Sequence, residues 1–313
     1  MLAGVTETLA FTLQPERPYS LSRTAERLVH YDDLLERYDA NTDRLQRLLP
    51  VGRQLIRLEV SQLGSPAQAK LRVRLSGSGA RETSARVSAE AYVGRALGAR
   101  QKISGFYRRF REDPILGPAM RRERGLRVAG NASAFEALVT SILAQQINLK
   151  FAYSIRRELT LAFGRSTRIE GERYWSFPTP QKMAGIAEDE LRGMRISGAK
   201  ARAIHSSAAA FKTGAFREAA LEEKDDQAIL EQLTALRGVG PWTAEQVLMR
   251  ALGRPDVFPA SDLGVIKSLA QELLGHKKTA SEKQMRAFSE GWRPYRSLAL
   301  IYAYSELTHR RRA

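Results

Sequence analysis

The segment Leu236–Glu245 reads Leu-Arg-Gly-Val-Gly-Pro-Trp-Thr-Ala-Glu, and a lone Asp262 follows its second glycine by 22 residues. Apolar residues recur at helical spacing on both sides: Ile229, Leu230, Leu233 and Leu236 before it, Ala244, Val247, Leu248 and Ala251 after it. Glycine at the end of one helix and proline at the first position of the next predict a helix–hairpin–helix over 226–252. Around Gly238, Val239 and Gly240, and in the first turn of the next helix at Thr243, backbone amides are left without side-chain cover. That is a seat for a phosphate. Asp262 lies in Val-Phe-Pro-Ala-Ser-Asp-Leu, just before a helical face of Ile266, Leu269 and Leu273. It has two readings. Aspartate is a favoured helix cap; alternatively, it is a carboxylate doing chemistry beside the polyanion that the hairpin seats.

The elements that must position these residues belong to a chain of 313 residues, long enough for two or three cored domains. A hydrophobic content of 43% marks it as globular. Lys and Arg total 50 against 34 acidic residues, a net charge of +16, which favours polyanions, nucleic acid ahead of an anionic membrane surface. No apolar run reaches the ~18 residues of a membrane span, and Met1–Glu7 lacks the basic start of a signal peptide. With no cysteine, disulfides, thiolate zinc sites and cysteine-bound iron–sulfur clusters are excluded. His30, His205, His276 and His309 match no metal-ligand spacing. The expectation is a soluble intracellular nucleic-acid binder.

Residues 1–83 have the texture of a small α+β domain. Leu9–Leu13 reads as a strand, Tyr19 to about Val29 as a short helix, and 54–60 and 70–75 as two half-buried antiparallel strands joined around Gly64-Ser65-Pro66. Ser76-Gly77-Ser78-Gly79 lacks the Gly-Lys-Ser/Thr of a phosphate loop and reads as a linker. From about Ser84 every long segment has helical period, broken by Gly and Pro into roughly ten short helices. Residues 84–125 form a basic helical connection. Its densest run, Arg100-Gln101-Lys102, Arg108-Arg109-Phe110-Arg111 and Arg121-Arg122-Glu123-Arg124, is either a solvated helix face or an extension of a phosphate-binding footprint.

Gly-Val-Gly, a proline-bearing loop and an Asp at this distance resemble the signature of the helix–hairpin–helix DNA glycosylases. The resemblance is greatest to the alkylpurine branch, 3-methyladenine DNA glycosylase II. Ser141-Ile142-Leu143-Ala144-Gln145-Gln146, Phe177-Pro178-Thr179-Pro180, Gly193–Lys200, Pro241–Ala244 and Trp292–Ala299 are similar to further family segments, so the match runs from about Leu126 to Leu307. The resemblance implies a mainly α fold with an N-terminal α+β domain, that is, a helix–hairpin–helix glycosylase bundle over 126–313 preceded by a small antiparallel sheet domain. Bifunctional glycosylase/lyases carry a Schiff-base lysine two residues after the second hairpin glycine. Here that position is Trp242, which implies a monofunctional hydrolase.

The implied reaction is hydrolysis of the N-glycosidic bond of alkylated bases (3-methyladenine, 7-methylguanine) in double-stranded DNA. The base is flipped out and Asp262 opposes an oxocarbenium-like sugar. Trp242 matches a family cleft position, and Tyr304 falls where the family has a stacking aromatic; each also reads as an ordinary core aromatic. Gln246 and Leu263 stand where the best-known branch has tyrosines, so the base pocket is less aromatic. Gln146 holds the position of the apolar wedge that fills the gap left by the flipped nucleotide. No cofactor is required, although the family often holds a monovalent cation (Na+ or K+) on hairpin carbonyls, here near Leu236 and Val239. A monomer in the cytoplasm, nucleoid-associated and of bacterial type, is expected. The alternatives are a glycosylase for oxidised or deaminated bases, or a non-catalytic DNA-binding protein.

Overall fold

The computed structural model describes residues 7–29, 31, 33–275 and 278–312. Met1–Thr6, His30 and His276 lie outside them. The chain begins with strand β1 (Thr8–Leu13) and helix α1 (Leu21–Ala25). Strands β2 (Glu36–Asp39), β3 (Arg44–Val51), β4 (Gln54–Leu63) and β5 (Lys70–Ser76) follow. The five strands make one antiparallel sheet in the order β1-β5-β4-β3-β2. Leu58 pairs with Leu75 and Val60 with Val73, as the alternation of the two expected strands requires.

Strands β2 and β3 were not legible because polar side chains occupy their inward positions. Arg47 on β3 is buried and pairs with Glu36 of β2 and with Glu136 of the helical bundle. Their charges cancel in the interior, but in the sequence they erase the period of two. The expected linker Ser76–Gly79 is a packed turn. Gly77 has φ +140°, and a Cβ there would lie 2.7 Å from the Leu55 carbonyl.

Helix α2 (Thr83–Arg95) shares the core of the sheet domain. Ala85, Ala89, Tyr92, Val93, Ala96, Leu97 and Ala99 pack with Ile56, Leu58, Val73 and Leu75. The apolar core of the amino-terminal unit therefore runs on through Ala99, past the boundary expected at 83.

The bundle continues with α3 (Ser104–Phe110), α4 (Leu116–Arg122), α5 (Ala134–Ala144) and α6 (Leu149–Phe163), then a hairpin of β6 (Arg165–Ile169) and β7 (Glu172–Ser176). This hairpin corrects the all-helical expectation after Ser84. Its strands, Arg-Ser-Thr-Arg-Ile and Glu-Arg-Tyr-Trp-Ser, are too polar to show a buried face, and Ile169 and Tyr174 cover Leu48 of the amino-terminal sheet. After it come α7 (Pro180–Met183), α8 (Glu188–Gly193), α9 (Gly198–Lys212), α10 (Glu218–Glu222), α11 (Asp226–Thr234) and α12 (Pro241–Arg250). A π-helix (Gly264–Leu273), α13 (Glu282–Ser289) and α14 (Arg296–Arg310) complete the fold. Among the described residues, α2–α14 are thirteen α-helices, more than the ten expected, because Gly and Pro cut several segments to a turn or two.

One apolar core joins α3–α6, α9, α11, α12, the π-helix and α14. Among the described residues no helix is long and apolar enough to cross a membrane.

Candidate active site and hairpin

Helix α11 ends at Thr234, and the turn that follows closes with the Val239 amide on the Leu236 carbonyl at 3.1 Å. Gly238 has φ +78°, and a Cβ there would come within 2.7 Å of the Ala203 Cβ, so a glycine is required on both counts. Gly240 is extended (φ −94°, ψ 177°) and caps α12, with Pro241 at the first helical position. Nothing lies within 4 Å of where its Cβ would be, so the chain approaches solvent bare at this point.

The structure narrows the backbone open to the expected phosphate. Val239 is buried and its amide is spent within the turn, so it does not face outward as expected. The Thr243 hydroxyl is turned inward, 1% exposed, and accepts a bond from Gln145 Nε2 at 3.0 Å, which leaves only the Thr243 amide for an anion. What remains is the open backbone at Gly240 and the first-turn amides of α12, which have no partner within the helix.

Asp262 is held by three elements. Its Oδ1 accepts from the Gly264 amide at 2.8 Å and from the Tyr304 hydroxyl at 3.3 Å, and its Oδ2 accepts from Trp242 Nε1 at 2.9 Å. The Asp262 carbonyl accepts from the Ile266 amide at 2.9 Å, which with the Gly264 contact ties the residue to the start of the π-helix. The same residue thus anchors the start of the helix through its carbonyl and presents a carboxylate fixed by three donors. A carboxylate offers about four lone-pair sites; with three engaged, Oδ2 keeps one for water or for positive charge on a sugar.

The loop that delivers Asp262 is fastened to the helix that carries Tyr304. Arg296, in the first turn of α14, donates to both oxygens of Asp256, at 2.7 and 3.1 Å. Ser297 Oγ accepts from the Val257 amide and donates to the Arg254 carbonyl. Phe258 packs edge-on against Trp292. Helix α14 is buried over most of its circumference, which fixes the phenol of Tyr304 relative to the core. Burial, and then the charge of Asp262, push the Tyr304 hydroxyl well above the usual tyrosine range, so it stays a neutral donor. At Gly264 a Cβ would stand 2.6 Å from that hydroxyl and 3.1 Å from Asp262 Oδ1, so the contact exists because residue 264 has no side chain.

The other expected site residues have the following surroundings. Gln246, one turn beyond Trp242 on α12, is half-buried and its Oε1 accepts from Arg250 Nε at 3.3 Å. Leu263, next to Asp262, is 58% exposed. Gln146 is exposed, with φ +55°, in the loop between α5 and α6. Within the basic run, Arg109 bonds the Gly291 carbonyl and Arg122 pairs with Glu306, so part of it is structural. Sequence reasoning missed Gly264 as a spacer and Gln145 and Lys200 as ties; their types were visible, their partners were not. A cleft of about 430 Å³ elsewhere, ringed by Arg37, Arg57, Glu170 and Glu172, shares no residue with this centre, and its charges pair with one another.

Residues 139–294 match the HhH-GPD superfamily of base excision DNA repair proteins. The DNA-3-methyladenine glycosylase of Bacillus subtilis is 33% identical over 205 residues, 66% of this chain and 67% of that protein. The chain belongs to the HhH-GPD superfamily. Its fold is shared with the 3-methyladenine DNA-glycosylase from Archaeoglobus fulgidus, at a TM-score of 0.80 and 21% identity over 95% of this chain and 98% of the other. It is shared also with the 8-oxoguanine glycosylase/lyase of Clostridium acetobutylicum, at a TM-score of 0.70 and 15% identity over 96% and 98%. At these identities the two structures establish the fold alone. Two residues after the second hairpin glycine of this chain, hydrogen-bonded to the Asp262 carboxylate, stands the indole of Trp242.

Proposed function

We propose that this HhH-GPD protein is a monofunctional DNA glycosylase that hydrolyses the N-glycosidic bond of alkylated bases, of the 3-methyladenine and 7-methylguanine class, in duplex DNA. The observation that carries the reading is Asp262 held in place by Trp242, in the position where a lyase would present an amine. Alkylation of a ring nitrogen makes the base cationic and a good leaving group, so little acid catalysis is needed. The protein must seat the backbone, extrude the nucleotide and stabilise charge on the sugar. The bare backbone at Gly240 and the first turn of α12 serve the first task. Asp262 serves the last: its three donors fix its orientation in advance, so no reorganisation is needed as positive charge develops at the anomeric carbon. The free lone pair of Oδ2 orients the water that completes hydrolysis.

Trp242 and Tyr304 border the space for the flipped base, with Leu263 at the entrance and Gln246 behind, and a cationic base gains about 0.5–2 kcal/mol on an aromatic face. Gln146 fills the gap left in the stack. A monovalent ion at the hairpin is compatible with the donor set, since the Leu236 carbonyl keeps a second lone pair beside the one taken by the Val239 amide and carbonyls are hard neutral donors. No step of the reaction runs through it. The enzyme acts as a monomer in the cytoplasm.

Incubating the pure protein with methylated DNA and identifying the released bases tests the reading. Free 3-methyladenine and 7-methylguanine are expected, with no adduct trapped by borohydride. Release of oxidised or deaminated bases alone, or a trapped adduct, would point to another branch of the superfamily.

A further inference from the structure

Helix α9 touches the wedge loop and the hairpin at once. Lys200, in its first turn, donates from Nζ to the carbonyls of Leu143 and Gln145, each at 2.8 Å. Those carbonyls end α5, and a cation there is favoured by the helix dipole and by the orphaned acceptors. Among the described residues no carboxylate pairs with Lys200, whose partners are the two carbonyls, and burial lowers its pKa. One turn along the same helix, Ala203 lies where a Cβ on Gly238 would collide. Gln145 closes the triangle: its Nε2 donates to the Gly238 carbonyl and to the Thr243 hydroxyl, both at 3.0 Å. The next residue is Gln146, exposed and held at φ +55°, a conformation that costs an ordinary side chain free energy and persists only where its surroundings enforce it.

We propose that Lys200 and Gln145 are positioning residues that lock the Gln146 loop to the hairpin, so that seating a phosphate and driving Gln146 into the base stack are one rigid-body event. Neither residue needs to touch the reacting atoms. Their work is to stop the loop from yielding when it meets stacked bases, and so it matters only where a base must be extracted from a paired stack.

This rests on the glycosylase reading, and the test separates the two. Excision of one alkylated base is measured from two duplexes, one with the lesion normally paired and one with it in a single-nucleotide bulge, where little stacking remains to be broken. A 2-aminopurine beside the paired lesion reports unstacking. Lys200→Met and Gln145→Leu are expected to slow excision from the paired duplex roughly tenfold or more, the worth of one charge-assisted hydrogen bond for Lys200 and of two neutral ones for Gln145. They are expected to blunt the fluorescence rise and to leave excision from the bulge unchanged, and Lys200→Arg to restore the paired rate. Equal loss on both duplexes, or no loss on either, overturns the proposal while the glycosylase reading stands. A wild-type chain that releases the base from neither duplex overturns the glycosylase reading itself.

Discussion

Trp242 Nε1 donates a 2.9 Å hydrogen bond to Asp262 Oδ2. The two residues sit 20 positions apart in sequence, one in the first turn after the hairpin and one before the π-helix. The indole therefore orients the carboxylate, beside the base-pocket role proposed for it. Trp242→Phe keeps an aromatic face and removes the donor, so kcat is expected to fall about tenfold with KM little changed. A raised KM with kcat preserved would mean that the ring serves only to stack the base.

Gly240 has open space at its Cβ position and a backbone conformation any residue adopts. Gly240→Ala is therefore expected to leave stability unchanged while weakening binding to damaged and undamaged duplex alike, because the methyl group intrudes on the phosphate seat and not on the base. Binding titrations on both duplexes check this; a loss confined to the damaged one contradicts it. Gly238→Ala is a different case. With φ +78° and Ala203 in the way, it is expected to cost about 1–3 kcal/mol of stability.

Glu136, in the first turn of α5, joins the two domains. Its carboxylate receives Arg47 from the sheet, and it receives Arg156 of α6 at 2.6 Å and Asn131 at 3.2 Å. Burial alone would raise its pKa, but Arg47 and Arg156 outweigh this and hold it below the ordinary value of 4.5. A depressed carboxylate pKa contributes stability that is present above the unfolded value and lost as pH falls through the folded one. Urea denaturation is expected to show the wild type losing stability below about pH 4.5. Glu136→Gln should be less stable at pH 7 by about 1–3 kcal/mol, because Arg47 and Arg156 each lose one of two carboxylate partners and keep Glu36 and Asp33. Its decline on acidification should be shallower. A gap between the two proteins that stays constant with pH would contradict this assignment.

Much of this was legible in the chain itself. Gly238, Gly240 and Pro241 mark the hairpin because their backbone demands are local, and Asp262 stands out by type and spacing. The strands at 36–39 and 44–51 were hidden because Glu36 and Arg47 lie inward, satisfied by residues such as Glu136, 89 positions from Arg47. Polar residues that neutralise one another in the core look like surface when read one at a time. Direction of side chains was equally out of reach. The amide of Thr243 is legible as a phosphate ligand from its place in the first turn, but only the structure shows Gln145 holding its hydroxyl inward. Lys200 reads as one more surface cation until its two carbonyls are found.

The central claim is that Asp262 is the catalytic carboxylate, and Asp262→Asn tests it most directly. Asparagine caps helices about as well as aspartate does. In the structure its amide oxygen can keep Gly264 and Tyr304, but its NH2 then faces the Trp242 N–H, donor against donor. A stability cost of about 1–2 kcal/mol is expected, too small to unfold the chain at 25 °C. Excision of 3-methyladenine or 7-methylguanine by the folded variant, measured as released base under single-turnover conditions, is expected to fall at least about a hundredfold. A folded Asp262→Asn protein that excises at the wild-type rate would contradict the claim and leave Asp262 as a helix cap.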